Sequence, residues 1–351
     1  MLQGYSKDQP EGFHNRIERV ALIGAGGHMG SHIAEALLKT RKHVVKVISR
    51  PNSTSKMPFG AHVERIEYGD SDDSEIVQAL EGQQALIITM SVAAPRDIIS
   101  KLIRAAAKAG VSYILPNWYG HDPAAEKLCK DTFLADIKTR ICTEIESLGV
   151  SSYILLACGF WYEFSLGGGP DRYGFDFKNR SVVVFDGGNT AINTSTWPQC
   201  GRAIASLMSL KVLPEDENDR SVTLLQFHNR PVYISSFRLT QWDMFKSIKR
   251  VTGTKDADWT ITHESSAERY ASAKDSILQG DHHAFVKFLY SRTFYPNGGG
   301  DFESTHGLHN GVLGLPGEDL DAYTSVAISM GENEEVVDDD VRRRVIHVLN
   351  E

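Results

Sequence analysis

The sequence predicts an α/β protein, with a doubly wound parallel sheet over residues 17–160 and a smaller α+β lobe over 161–330. Three observations carry that expectation. The run VALIGAGGHMG at 20–30 joins an apolar strand to a glycine turn and the start of a helix. Short apolar runs then alternate with helical patterns as far as residue 156, the order expected of parallel strands joined by crossover helices. After Gly159 that alternation stops.

Residues 1–16 are polar and read as a flexible lead-in. Strands are expected at 17–23, 43–49, 62–68, 85–89, 111–115 and 152–156, with helices at 29–39, 74–80, 96–109 and 131–148. The helix at 96–109 repeats Ile98, Ile99, Leu102, Ile103 and Ala106 along one face. Beyond Gly159, strands are expected at 181–185, 222–227 and 232–235, the first running into the tight turn Asp186-Gly-Gly-Asn189. Thr196 precedes a helix at 197–210, and Thr240-Gln-Trp-Asp243 opens a second helix, to 251, in capping-box fashion. Residues 292–316 are glycine-rich and aperiodic, which predicts a long loop or lid. The end, 331–351, sets an acidic block before a basic one and reads as a charged tail with i,i+4 pairing on a solvated helix.

Bulk properties narrow the functional classes. The 351 residues are 41% hydrophobic and 23% charged, an ordinary globular composition. A net charge of -8 without a dense basic run disfavours a nucleic-acid partner. No apolar run reaches the roughly 20 residues of a membrane span, and the first residues lack the apolar centre of a secretory leader. The four cysteines form no C-x-x-C pair and read as reduced thiols, so a cytoplasmic location is expected. The expected partner is a small molecule, with a homodimer admitted as the assembly.

The glycine turn is the strongest chemical signal. Gly24, Gly27 and Gly30 form G-x-x-G-x-x-G, with Gly26 an additional permissive position. Glycine there allows a sharp turn and lets backbone N–H groups approach a diphosphate at the positive end of a helix. His28 and Met29 would lie nearest the phosphates. About 20 residues on, an NAD site places an acidic residue against the ribose hydroxyls. Here the loop reads Arg50-Pro-Asn-Ser-Thr-Ser-Lys56, with no acid between Arg41 and His62. Arg50, Asn52, Ser53 and Lys56 suit a 2′-phosphate, which points to NADP(H).

In open α/β sheets, ligands lie beyond the carboxyl ends of the strands. Those ends carry Thr89-Met90-Ser91, Pro116-Asn117-Trp118-Tyr119 and Cys158-Gly-Phe160-Trp161-Tyr162. Thr89, Met90, Ser91, Pro116, Asn117, Cys158 and Phe160 are expected along the cofactor. Trp118, Tyr119, Trp161 and Tyr162 would give a flat aromatic substrate its stacking surface. His121 and His306 are candidate auxiliary acids near that substrate. His306 and His309 form H-x-x-H without a third ligand in view, so no metal is expected.

These residues together resemble the NmrA-like and isoflavone-reductase-like family of atypical short-chain reductases. The resemblance rests on the glycine spacing, Arg50, Gly69-Asp70, Pro116-Asn-Trp-Tyr-Gly120 and Lys138, and it spans 17 to about 327. Asn193-Thr-Ser-Thr-Trp-Pro-Gln-Cys-Gly-Arg202 and Val232-Tyr-Ile-Ser-Ser-Phe237 are similar to the fungal CipA-type branch. The resemblance implies a Rossmann-type NADP-binding domain over 17–160, a substrate-binding lobe over 161–330 and a cofactor contact at Asp70. It also makes Lys138, a cation able to hydrogen-bond the cofactor ribose or a substrate oxygen, the catalytic residue, counted back from Ile145-Glu-Ser-Leu-Gly149. Leu134 stands where ordinary short-chain dehydrogenases have a tyrosine, so a tyrosine–lysine relay is not implied. Cys142 and Thr143 replace the family's arginine pair, and Cys158 its asparagine after the sixth strand.

The implied activity is NADPH-dependent reduction of an aromatic or polyketide-type secondary metabolite, Lys138 stabilising or protonating the developing oxyanion. A nucleotide-sensing regulator without turnover and a non-redox rearrangement in the same pocket are the alternatives.

Overall fold

The computed structural model describes residues 4–68, 73–91, 94–297 and 299–336. Its first unit contains β1 (Arg19–Ile23), α1 (His28–Thr40), β2 (Val44–Ser49), β3 (His62–Arg65), α2 (Ser74–Leu80), β4 (Ala85–Ile88) and α3 (Arg96–Lys108). There follow β5 (Tyr113–Leu115), β6 (Tyr119–Gly120), α4 (Glu126–Asp131), α5 (Ala135–Leu148) and β7 (Ser152–Ala157). Then come β8 (Phe160–Trp161), α6 (Tyr162–Leu166), β9 (Phe175–Asp176), β10 (Ser181–Phe185), β11 (Ile192–Ser195) and α7 (Trp197–Met208). Next are β12 (Arg230–Tyr233), β13 (Phe237–Leu239), α8 (Gln241–Thr252), β14 (Thr260–Glu264) and α9 (Ser266–Leu278). The last helices are α10 (Ala284–Thr293), α11 (Glu303–His306) and α12 (Leu320–Glu332).

The main sheet is parallel in the order β12-β7-β5-β4-β1-β2-β3, with β6 also on β7. Strand order reverses between β1 and β4, where a doubly wound sheet opens its ligand crevice. Both faces are covered, which explains why β4 is buried along its whole length. On one face Leu22, Ile33, Leu37 and Ile87 pack with Ile204 and Leu207 of α7. On the other, Ile23, Ile48, Ile88, Leu102, Ile103 and Ile145 form a second core. α7 lies close on α1 because Gly201 is bare: a Cβ there would stand 2.4 Å from the carbonyl oxygen of His32. Thus α7 and β12, both from beyond residue 160, build part of the first layer.

The remaining elements form two three-stranded sheets, β14-β10-β9 and β13-β11-β8, over a third core that includes Tyr162, Tyr173, Phe175, Phe245 and Phe294. The capping box at Thr240 forms as expected, with Asp243 N donating to the Thr240 hydroxyl oxygen at 3.1 Å and Thr240 N to the Asp243 carboxylate at 3.1 Å.

Three expectations are corrected. The helix expected over 131–148 starts only at Ala135, because Asp131 closes α4 and Phe133 takes a left-handed φ of 61° between α4 and α5. That turn lays the Phe133 ring on Phe288, at 5.2 Å between centroids. The strand expected at 222–227 is a 3-10 turn over Leu224–Phe227, which buries Leu224 and Phe227 together at three-residue spacing. The stretch 292–316 is the expected long loop but not a free lid: it begins inside α10, which ends at Thr293, α11 interrupts it, and Phe302 and Leu313 are buried. Of the charged tail, 337–351 lies outside the described residues. Among the described residues no helix is long and apolar enough to cross a membrane.

Candidate active site

The glycine turn closes β1 and opens α1 against the end of β4. Gly24 has φ of 88°, and a Cβ on it would meet the Thr89 carbonyl oxygen at 2.3 Å. A Cβ on Gly30 would meet the Gly24 carbonyl oxygen at 2.2 Å and the Thr89 hydroxyl at 2.7 Å. Both glycines are therefore demanded by the protein's own packing. Gly26 is more than permissive, since the Ser55 Cβ would lie 2.3 Å from a Cβ there. Gly27 differs. It caps α1, and a Cβ on it would find only the Gly24 oxygen at an ordinary 3.5 Å. No side chain caps α1 and no acid stands in its first turn, leaving its N–H donors and positive end to an anion.

Met29 turns its side chain into the core, 6% exposed, so only its backbone can face a ligand. His28 stacks on Trp197 of the second unit at 4.5 Å and 6°. Arg50, Asn52 and Lys56 are exposed and Ser53 is half-buried. The loop they share is held by Arg65, whose guanidinium donates to the carbonyls of Arg50, Pro51 and Ser53 at 3.2, 3.4 and 3.3 Å. Arg65 and Ser55 escaped the sequence reading because their roles arise from contacts across the turn. Asp70 lies outside the described residues.

Farther along the crevice, the Thr89 hydroxyl donates to Ile23 O at 2.9 Å; Met90 is half-buried and Ser91 exposed. Pro116 is buried and Asn117 half-buried. Two aromatics expected in the ligand wall are placed in cores instead. Trp118 packs with Cys129 and Leu155, its Nε1 donating to His121 O at 2.9 Å. Tyr162 is fully buried, 2.7 Å from the Thr324 hydroxyl. Tyr119 and Trp161 are half-buried, and their hydroxyl and Nε1 are buried without a hydrogen-bond partner among the described residues. Cys158 is buried at the end of β7. Phe160 stacks on Tyr290 at 3.7 Å and 6°, and His121 meets it edge-on at 4.7 Å. Burial, with Arg292 adding, pulls the His121 imidazole down to about 4 and so keeps it neutral.

Lys138 lies in the first turns of α5, and its Nζ donates to Pro123 O at 2.8 Å. The adjoining Asp122 is 5% exposed. Its Oδ1 accepts from Ala124 N and the Tyr233 hydroxyl, each at 2.8 Å, and its Oδ2 lies 3.0 Å from His306 Nε2. The structure thus brings Lys138, His121 and His306 onto one segment, 121–124, and adds Asp122 and Tyr233. The glycine turn and the Arg50–Lys56 loop stand at the ends of β1 and β2, Lys138 and His306 beside those of β7 and β12. No three His, Cys, Asp or Glu side chains among the described residues group to hold a metal.

One buried carboxyl stands apart from these. Glu163 is 3% exposed; its Oε1 accepts from Trp197 N at 3.0 Å, and Oε2 has no hydrogen-bond partner among the described residues. Burial, with Glu318 adding, pushes it from 4.5 to about 7. The fold therefore holds a proton that the unfolded chain releases above about 4.5, and stability falls as pH rises from there to about 7. Glu163→Gln should be more stable than the parent at pH 8, by up to about 3 kcal/mol, and equal to it near pH 4. Urea unfolding at both pH values measures the difference.

Residues 17–166 match the model of the NmrA-like family. Over 306 residues the chain is 23% identical to the oxidoreductase aprR of Aspergillus flavus, covering 86% of this chain and 96% of that protein. A second relative, the NmrA-like family domain-containing oxidoreductase himF of Aspergillus japonicus, is 27% identical over 42% of this chain and 48% of its own length. Among solved structures, AtPrR2 with NADP+ and (+)pinoresinol superposes with a TM-score of 0.63 at 19% identity, over 90% of this chain and all of that one. An isoflavone reductase gives 0.65 at 17%, over 88% and 98%. The NADPH-dependent quinone oxidoreductase QOR2 of Escherichia coli gives 0.60 at 18%, over 88% and 98%. The chain shares their Rossmann-like α/β fold, as the sequence predicts.

Proposed function

We propose that the chain is an NADP(H)-dependent oxidoreductase that reduces a small aromatic or polyketide-type metabolite. The observation that carries this reading is the cationic, acid-free loop after β2, held by Arg65 beside an uncapped glycine turn. Arg50 and Lys56 would grip the 2′-phosphate, Asn52, Ser53 and Ser55 would add hydrogen bonds, and the N–H groups of α1 would take the diphosphate. Bound NADPH supplies a hydride. Phe160, half-buried in β8, offers an aromatic surface, and Lys138 would place a cation where an oxyanion develops. The oxidoreductase relatives and the NADP-binding structures of the same fold support this assignment.

Purified protein should consume NADPH in preference to NADH with members of a panel of quinones, enones and benzylic substrates, each product gaining two hydrogens. In the double variant Arg50→Ala, Lys56→Ala, NADPH affinity should fall by about tenfold or more while NADH binding changes little. Tight NADPH binding without turnover across the panel would instead favour a nucleotide sensor. A product of unchanged mass would mark a non-redox rearrangement.

A further inference from the structure

The segment after α10 brings a histidine to the crevice on a fixed mount. Asn193 holds the entry to α11: Asn193 N donates to Gly300 O at 2.8 Å, and its side chain exchanges hydrogen bonds with Glu303 at 2.9 and 3.0 Å. Phe302 is buried beside Tyr233, anchoring α11 from below. His306, the last residue of α11, stacks on the Tyr233 ring at 4.5 Å and 16°. Its Nε2 faces Asp122 Oδ2 at 3.0 Å, which fixes a proton on that nitrogen. Asp122 itself is locked by Ala124 N and the Tyr233 hydroxyl. The imidazole stays 29% exposed, and Nδ1 makes no hydrogen bond among the described residues.

His306 offers one nitrogen to a buried carboxylate and leaves the other open. His121, its neighbour across Asp122, is enclosed and held neutral, so it carries no second proton to give.

We propose that His306 is the acid–base residue of the crevice, with Asp122 and Tyr233 as its positioning residues. This deepens the reductase reading and rests on it, dividing the work between two groups: Lys138 stabilises charge and His306 transfers the proton. Bound NADPH would supply the hydride: in a ketone this would form a C–H bond as the C=O π pair moves to oxygen, and in a quinone such as menadione the two electrons would make the ring aromatic and leave negative charge on an oxygen. His306, protonated at both nitrogens, gives its Nδ1 proton to that oxygen. The imidazole is left neutral with Nε2–H on Asp122, and recovers a proton from solvent through its exposed edge. The reverse sequence removes a proton from an alcohol.

The test uses full-length protein and menadione. His306→Ala should lower kcat for menadione reduction by about 100-fold with KM nearly unchanged, and added imidazole should restore part of the rate. Asp122→Asn should lower kcat by about tenfold without loss of NADPH affinity. A kcat for His306→Ala within twofold of the parent would overturn the proposal. A second readout needs no turnover: diethyl pyrocarbonate modification of His306, followed by peptide mass, in protein loaded with NADP+. Menadione should slow modification of His306 at least about fivefold, as expected for a ligand in contact with the ring. Protection without turnover supports His306 at the ligand and removes the reductase reading alone. Absence of protection overturns the His306 assignment.

Discussion

Lys138→Ala is expected to lower NADPH-dependent turnover by at least about a hundredfold while leaving NADPH affinity within a few-fold of the parent. The size follows from the role proposed for Lys138, a cation facing developing negative charge, where loss of one donor costs about 10²–10³ in rate. Nucleotide affinity should survive because the glycine turn and the Arg50–Lys56 loop do not depend on α5. The variant also loses the hydrogen bond from Nζ to Pro123 O, worth about 1 kcal/mol, and so loosens the segment carrying Asp122. Lys138→Met separates the two effects from bulk, since it keeps most of the side-chain volume without the charge. Stopped-flow hydride transfer, fluorescence titration of NADPH and a melting curve measure the three quantities. Normal turnover in Lys138→Ala would remove the lysine from the mechanism.

The second large effect is expected at the glycine turn, where two substitutions of the same size should behave oppositely. Gly30→Ala places a Cβ 2.2 Å from the Gly24 carbonyl oxygen and 2.7 Å from the Thr89 hydroxyl. The carbonyl belongs to the end of β1, so α1 must shift off the sheet. Destabilisation of about 1–3 kcal/mol or more should follow, with NADPH binding lost. Gly27→Ala meets only a 3.5 Å contact at an ordinary φ of -83°, so the fold should hold. Its melting temperature should match the parent while NADPH affinity falls, because the added methyl stands where the diphosphate would approach. Unaltered affinity in Gly27→Ala would mean that the cofactor does not approach that part of the turn.

The sheet was legible because its signals are local. Apolar runs of strand length, a glycine turn and one-faced helices each show within a dozen residues, and β1 to β5 and β7 fall where those patterns stand. The break at Phe133 was not legible, since helical composition continues through it and only the contact with Phe288 rewards the turn. Aromatic residues misled for a related reason. Trp118 and Tyr162 carry the same chemistry whether they line a crevice or fill a core, and packing places both in cores. Asp122 and Tyr233 were missed because an aspartate and a tyrosine 111 residues apart give no joint signal. His306 could be suspected as a histidine in an aperiodic stretch, but its mount could not: it depends on Asn193, Phe302 and Asp122 arriving together.

The place of β12 has a consequence for biosynthesis. Residues 230–233 supply the strand that covers the outer edge of β7, so that edge stays open while the intervening residues leave the ribosome. An uncovered strand in a parallel sheet is slow to find a distant partner and is a template for wrong pairings meanwhile. α7 is likewise late, and until it docks the apolar face that includes Leu22, Ile33 and Leu37 has no cover. A fragment ending at residue 166, where the family match stops, would carry every glycine of the nucleotide turn and still expose both surfaces. Expressed alone it should aggregate, whereas a fragment extended past β12 has the pieces to close the sheet.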